Sequence, residues 1–242
     1  MEAPGRSQLT SPNTPVEVGT SSQALQRKRF NRRLALHHLP LFALSTVAVV
    51  LFYIIRPIKD VWTKLSFSTA YPALFLLLIT LLIGPFNVLT RRRNPISSDL
   101  RRDVGIWAGI LTLIHSVVGQ NVHLRGHPWL YYVYAAREHH SFPIRHNVFG
   151  VGNYTGLVAT LIVIPLLATS NDYFLRRLGT PKWKRLQRWN YAVYALTAVH
   201  AWAYLTIEHQ KRHFVLTIAV ALAITLLTQT IAYYKRHTTA TP

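Results

Sequence analysis

The sequence predicts an all-α membrane protein, one bundle of six transmembrane helices with both termini on the cytoplasmic side. Half of the 242 residues are hydrophobic, and the eight acidic residues all lie outside the centres of the apolar runs. Six apolar runs have the roughly 20 residues that a helix needs to cross a bilayer. The basic residues, which give a formal net charge of +19, are concentrated between these runs. This pattern is typical of a multi-pass membrane protein.

Residues 1–33 are predicted to form a disordered, basic N-terminal tail. Residues 1–26 are rich in Ser, Thr and Pro, with too little apolar surface to offset the entropy of ordering. A cluster of Lys and Arg follows and directly precedes the first apolar run, Leu34–Ile55. This run is longer than a signal-peptide core and lacks a small-residue cleavage site. We therefore expect it to remain as the first transmembrane helix.

The other five runs complete a predicted domain that spans residues 34–236, followed by a short C-terminal tail, residues 237–242. These runs are Ala70–Thr90, Val104–Leu124, Val148–Thr169, Trp189–Ile207 and Phe214–Tyr234. The connection between the third and fourth runs mixes aromatic and basic side chains, as segments at the membrane interface do.

The distribution of positive charge predicts the orientation of the chain. Nineteen of the 27 Lys and Arg residues lie in the N-terminal arm, the 91–102 and 176–188 loops and the C-terminal tail. By the positive-inside rule these segments, and both termini, are cytoplasmic. The third and fifth helices then run parallel, from the cytoplasm outward.

His115 and His200 lie in the middle of the third and fifth runs, each twelve residues after the charged residue that opens its run, Asp103 or Arg188. At a rise of about 1.5 Å per residue, both imidazoles lie at about 18 Å depth on parallel helices. An ionisable side chain inside a bilayer is costly and marks a candidate functional site. For either histidine alone, a hydrogen bond between helices is the structural alternative.

Two facing imidazoles at one level match the axial positions of a heme iron. Zinc is less well matched because it takes more ligands, and no other His, Asp, Glu or Cys lies at this depth in the predicted helices. Ligation by two imidazoles fills both axial positions, which favours electron transfer over oxygen binding. We therefore predict that His115 and His200 bind one heme, and we identify no catalytic residue.

Two stretches carry a resemblance to a known family: Leu100-Arg-Arg-Asp-Val-Gly-Ile-Trp107 before His115, and Trp183-Lys-Arg-Leu186 before His200. They resemble the ferric reductase-like transmembrane domain family over about residues 40 to 235. That family includes the heme-binding membrane subunit of the periplasmic methionine sulfoxide reductase system and the membrane parts of ferric reductases and NADPH oxidases. The resemblance implies b-type heme held by histidines of the third and fifth helices.

The sequence departs from this family at a second, inner heme site. Many members carry a further histidine thirteen residues before the last ligand, where this chain has Gln187. The partner position, fourteen residues before His115, is Arg101. We therefore expect one heme per chain.

Seven further histidines lie in the outer connections: His123, His127, His139, His140, His146, His209 and His213. Their spacings match no compact metal motif. His123 is eight residues beyond His115, about 80° around an ideal helix, and is not expected to share the heme face. Arg145, Lys211 and Arg212 are candidates to neutralise heme propionates. The alternative function is a non-redox membrane protein, either a metal-handling transporter or an assembly subunit.

The predicted function is a component of a transmembrane oxidoreductase that needs a partner. No dinucleotide-binding fingerprint is present, so a flavoprotein reductase or a membrane quinol is expected to supply electrons. The expected acceptor lies on the outer side and is ferric iron, a periplasmic reductase or oxygen. The basic cytoplasmic loops favour anionic lipid or an acidic flavoprotein, and nucleic acid is not expected. The expected location is the bacterial inner membrane.

Overall fold

The computed structural model describes residues 27–90, 96–209 and 212–238. Within them all regular structure is helical, apart from one isolated antiparallel bridge between Val133 and Ile144. The all-α class is therefore confirmed. The chain divides into two compact units, residues 1–40 and residues 41–242. In the first unit the described residues are helical and include a π-helical turn, Leu34–His38. The predicted tail lies mostly outside the described residues.

The helices, labelled in chain order, coincide with the six apolar runs and add one helix between the fourth and fifth runs. Their bounds are α1 Leu39–Ile55, α2 Val61–Leu89, α3 Ile96–Gly119, α4 Val148–Ala168, α5 Asp172–Gln187, α6 Asn190–Ile207 and α7 Arg212–Thr238. The 120–147 connection, called the cap here, joins α3 to α4 and contains two short 3-10 turns, Pro128–Tyr131 and Ala136–Glu138.

Helix α2 is central because it packs against α3 on one side and α7 on the other. Helix α4 packs against α6 and α3, which closes the bundle around a core of small and branched side chains. Leu77 of α2, Leu111 of α3, Val163 of α4 and Val193 of α6 belong to this core. Many large apolar side chains, such as Val117, face outward instead. A surface of this kind is suited to contact with lipid. In lipid, helices associate through close packing rather than through the hydrophobic effect.

Among the described residues, four helices are long and apolar enough to cross a membrane. They are Arg27–Ile55, Val61–Leu89, Val148–Ala168 and Arg212–Thr238. Helices α3 and α6, which carry His115 and His200, do not meet that test on length and composition alone. Helix α3 opens with the charged residues Arg101, Arg102 and Asp103, and the Asp103 side chain is fully buried. The count of six membrane spans therefore stays a prediction.

Helix α5 occupies the segment expected to be a loop. Asn171 caps its start by accepting a hydrogen bond from the Phe174 N–H at 3.0 Å. Arg102 of α3 forms an ion pair with Asp172 at 2.6 Å and so ties this helix to the bundle. The backbone bends at Gly179, where φ is 70° and ψ is 156°, a conformation that favours glycine. The basic residues of the helix and its C-cap are all exposed: Arg176, Arg177, Lys182, Lys184, Arg185 and Arg188.

The cap is organised around Tyr131, whose side chain is 1% exposed. Its hydroxyl accepts hydrogen bonds from the backbone N–H groups of His123 at 2.9 Å and Leu124 at 3.1 Å. The same hydroxyl donates to the carbonyl of Gly119, the last residue of α3, at 3.2 Å. These three bonds fix the direction in which the chain leaves α3 and hold the cap over one end of the bundle.

Candidate cofactor site

The structure brings His115 of α3 and His200 of α6 together inside the bundle. The centroids of their rings are 6.0 Å apart and the ring planes are inclined by 80°. The two histidines that the sequence paired therefore lie side by side, whereas their common depth in the membrane stays a prediction.

Each imidazole is held by a backbone carbonyl of a neighbouring helix. Nδ1 of His115 lies 3.1 Å from the carbonyl oxygen of Ser66 in α2, and Nδ1 of His200 lies 2.8 Å from that of Gly152 in α4. A carbonyl oxygen only accepts, so Nδ1 is the protonated nitrogen in both rings. Nε2 of each neutral ring then keeps its lone pair, which is the form that binds a metal.

Glycines of α4 make room for His200. A Cβ atom at Gly156 would lie 2.6 Å from Nδ1 of His200, and one at Gly152 would lie 3.1 Å from the Cβ of Ala203. Neither glycine was identified as a candidate site residue from the sequence. Gly152 and Gly156 are four residues apart, and that small-xxx-small spacing was the available signal.

A cavity of about 370 Å³ surrounds the two histidines, within the range usual for cofactor pockets. Helices α2, α3, α4 and α6 supply most of its lining, which is largely apolar. Polar groups are few and include Ser66, Gln120 and Asn153. The cavity extends from the histidine pair toward the cap, where His123, Tyr132 and Glu208 line it.

The position of His123 differs from the prediction based on an ideal helix. Helix α3 ends at Gly119, so the angle of about 80° does not apply to a residue beyond that end. The turn held by Tyr131 instead directs His123 to the cavity, where its Nε2 lies 3.1 Å from a carboxylate oxygen of Glu208.

The three basic residues that were candidates to neutralise heme propionates lie in different surroundings. Arg145 is engaged inside the cap, where Nε donates to the Leu130 carbonyl at 2.6 Å and a terminal nitrogen contacts Glu138 at 3.1 Å. Arg212 is exposed at the first position of α7. Lys211 lies outside the described residues.

The histidines of the cap form contacts among themselves and with Tyr134. The ring of His140 stacks on Tyr134 with centroids 3.6 Å apart, and the centroids of His140 and His146 are 6.0 Å apart. Within the part of the chain that the structure describes, no three His, Cys, Asp or Glu side chains are grouped as a metal site would require.

Gln187 and Arg101, the residues at the two positions expected for an inner heme site, both contact neighbouring side chains or backbone. The Gln187 amide nitrogen is 3.4 Å from both the Leu166 carbonyl and the Ser170 hydroxyl, and its oxygen accepts from Asn190 at 3.3 Å. Arg101 lies against Gly84, where a Cβ would be 3.1 Å from a guanidinium nitrogen.

Several known proteins are similar to this chain in sequence. Protein-methionine-sulfoxide reductase heme-binding subunit MsrQ of Pectobacterium atrosepticum is 25% identical over 169 residues, 69% of this chain and 76% of that protein. MsrQ of Deinococcus radiodurans is 33% identical over 73 residues, 30% of this chain and 36% of that protein. The magnetosome protein MamZ of Magnetospirillum gryphiswaldense is 44% identical over 45 residues, 19% of this chain and 7% of MamZ. The chain thus spans less than two thirds of the last two relatives.

A family model described as ferric reductase like transmembrane component matches residues 67–198, a stretch that runs from α2 into α6. It includes His115 and ends two residues before His200. The match covers more than half of the chain and confirms the resemblance identified from the sequence. The chain is an integral membrane protein and belongs to the ferric reductase-like transmembrane component family.

Proposed function

We propose that this chain is a heme b-binding membrane subunit that transfers electrons to an acceptor on the outer side of the membrane. The observation that carries the proposal is the pair of buried imidazoles, His115 and His200, each fixed by a backbone carbonyl so that Nε2 is the free nitrogen. The names of the MsrQ relatives, which are heme-binding subunits, support the same choice of cofactor.

The spacing of the rings fits a heme iron between them. With a metal–nitrogen bond of about 2 Å on each side, the centres of two axial imidazoles lie about 6 Å apart. The observed separation of 6.0 Å is close to this value and supports the proposal. The apolar lining and the glycine at position 156 also fit a flat, mostly apolar ring system.

A bound heme would supply reversible one-electron transfer. The residues of the chain would fix its position and restrict its chemistry: His115 and His200 would both hold the iron, and two protein ligands favour electron transfer over oxygen binding. The carbonyls of Ser66 and Gly152 hold each imidazole in the ligating tautomer and increase its basicity. The apolar side chains of α2 and α4 keep water from the centre of the cavity.

We propose one heme per chain. Gln187 has no imidazole, and its amide forms hydrogen bonds with Leu166, Ser170 and Asn190. Arg101, at the partner position, places a guanidinium where a second ligand would be needed.

The proposed topology has six membrane spans, including α3 and α6, with both termini in the cytoplasm. Helix α5, with its exposed basic side chains, then lies on the cytoplasmic face, where anionic lipid headgroups are its partners. The cap lies on the outer side. The proposed electron donor is a flavoprotein reductase or a membrane quinol, and the proposed acceptor is ferric iron or a periplasmic reductase.

The first test is the visible spectrum of the detergent-purified protein, oxidised and then reduced with dithionite, with heme measured as pyridine hemochrome. We expect about one b-type heme per chain and a sharp reduced α-band. His115→Ala and His200→Ala should each abolish the low-spin spectrum. His140→Ala, which removes an exposed histidine of the cap, is the matched control and should leave the spectrum unchanged. Retention of the low-spin spectrum in both ligand variants would refute the assignment, and a protein that stays colourless with added heme precursor would refute the function.

A further inference from the structure

The side chains of His123 and Glu208 meet at the cap end of the cavity. Nε2 of His123 lies 3.1 Å from Oε1 of Glu208, and the two side chains are 31% and 21% exposed. His123 comes from the turn after α3, and Glu208 is the residue that ends α6. The pair therefore links the two helices that carry His115 and His200, at a place that water reaches from outside the membrane.

The pair is connected to His200 through one aromatic ring. The Tyr204 ring lies one turn after His200 on α6, with centroids 4.9 Å apart, and stacks on His123 with centroids 6.2 Å apart. His123 and His200 do not touch, yet these two contacts keep their ring centres within about 11 Å of each other. The Tyr204 hydroxyl donates to Asn153 of α4 at 2.7 Å, which fixes the intervening ring.

Within residues 27–90, 96–209 and 212–238, the other contacts of His123 are with aromatic side chains. The contact from α4 is the edge of the Phe149 ring, with centroids 5.5 Å apart. In the cap, Tyr131 bonds to the His123 backbone, and burial raises the pKa of Tyr132 above its usual value, so that this phenol stays neutral. Arg125, two residues after His123, is paired with Asp60 at the start of α2. Glu208 is thus the anion in direct contact with His123.

We propose that His123 and Glu208 form a proton-binding site whose occupancy is coupled to the oxidation state of the group held between His115 and His200. This inference rests on the proposed function. When one electron converts ferric to ferrous heme, the net charge at the centre of the cavity falls by one. An imidazolium at His123 is attracted to that added negative charge, so reduction favours the binding of one proton to His123 from water at the cap.

The sign and size of the coupling follow from the geometry. The midpoint potential is highest when His123 is protonated, so it falls as the pH rises and the proton leaves. For a separation on the order of 10 Å and an effective dielectric constant of about 20, the interaction corresponds to roughly a tenfold change in the equilibrium constant for reduction. Glu208 stabilises the imidazolium, and its own negative charge opposes reduction when His123 is neutral.

The test is a potentiometric titration of the full-length, heme-loaded protein, followed at the reduced α-band between about pH 5 and pH 9. In the wild type, the equilibrium constant for reduction should fall roughly tenfold as the pH rises over this range. His123→Gln keeps a polar side chain but cannot titrate, and it should abolish the pH dependence. Glu208→Gln should move the transition to lower pH and raise the potential at alkaline pH. His140→Gln, at an exposed histidine of the cap, should behave as the wild type.

A second measurement is direct proton uptake on reduction, detected with a pH indicator in weakly buffered solution near neutral pH. The wild type should take up a fraction of a proton per heme, and His123→Gln should take up none. A pH-dependent potential that persists unchanged in both His123→Gln and Glu208→Gln would overturn the inference, as would a wild-type potential independent of pH. Both results leave the heme assignment standing, whereas a chain that binds no heme would overturn the proposed function itself.

Discussion

Gly156 is the residue whose replacement should disturb the candidate site most directly without removing a ligand. A methyl group there would lie 2.6 Å from Nδ1 of His200, so the ring must move away from the Gly152 carbonyl that orients it. Overpacking of this kind costs about 1–3 kcal/mol. We expect Gly156→Ala to lower heme content and to broaden or shift the reduced α-band.

The matched control for this substitution is Gly119→Ala. Gly119 also lines the cavity, but a Cβ there would lie 3.9 Å from the Ser66 hydroxyl, an ordinary contact. Heme per chain, measured as pyridine hemochrome in both variants, distinguishes them. Equal heme content and identical spectra would contradict the role assigned to Gly156.

At the residue scale, the sequence predicted the pairing of His115 and His200 because helical rise is constant and both residues stand twelve positions after a charge. The groups that orient them could not be predicted in the same way. They are the backbone carbonyls of Ser66 and Gly152, and a backbone carbonyl has no signature in the sequence. The cavity-facing position of His123 was missed because it depends on where α3 ends, which Tyr131 determines from within the cap.

At the scale of the helices, Asp60 is expected to stabilise the start of α2. Its carboxylate accepts hydrogen bonds from the Thr63 N–H and hydroxyl, both at 2.8 Å, and pairs with Arg125 of the cap. The Thr63 N–H first, and then the Arg125 guanidinium, lower the pKa of Asp60 to about 2. Asp60→Ala should therefore lower the midpoint of thermal denaturation in detergent at neutral pH.

The pH dependence of this contribution follows from the lowered pKa. The pKa of an aspartate in an unfolded chain is about 3.9. The stabilisation that Asp60 provides is therefore complete above about pH 4 and is lost as the pH falls toward 2. The difference in midpoint between the wild type and Asp60→Ala should shrink over that window. Asp60→Asn, which keeps an acceptor for the Thr63 N–H but loses the charge, should fall between them at neutral pH. Identical midpoints for all three proteins at neutral pH would contradict the capping role.

Helix α5 shows why a helix rich in basic residues was harder to predict than an apolar one. The helices predicted to span the membrane are recognised in the sequence by runs of about 20 apolar residues. The α5 segment instead has many basic residues and is interrupted by Gly179 and Pro181. Its helical state depends on the Asn171 cap, on the ion pair between Arg102 and Asp172, and on a hydrogen bond from the Trp183 indole to the Thr169 carbonyl at 2.9 Å. The last two are contacts between distant residues, which hydropathy does not encode.

At the scale of the whole molecule, each of the six apolar runs of the sequence contains a helix in the structure, although the third run, Val104–Leu124, is helical only as far as Gly119. Length and hydropathy determine that much, because a bilayer demands internally satisfied backbone groups over a fixed thickness. The order of packing could not be predicted, since α2 lies between α3 and α7 and α4 lies against α6 through close contacts of small residues. This packing determines that the cavity extends toward the cap.

The two ends of the bundle differ in a way that predicts the number of cofactors. Near the cap, two imidazoles face each other across a cavity, whereas Gln187 and Arg101 occupy the two positions that would have to supply ligands nearer the other end. We expect Gln187→His to leave the ratio at about one heme per chain. The substitution adds one imidazole, but the partner position holds Arg101, whose guanidinium packs on Gly84, so no second ligand is supplied. Pyridine hemochrome against protein concentration measures this ratio, with the wild type as reference. A ratio near two in either protein would mean that an unrecognised ligand completes an inner site and that electrons can cross the membrane through two hemes of the same chain.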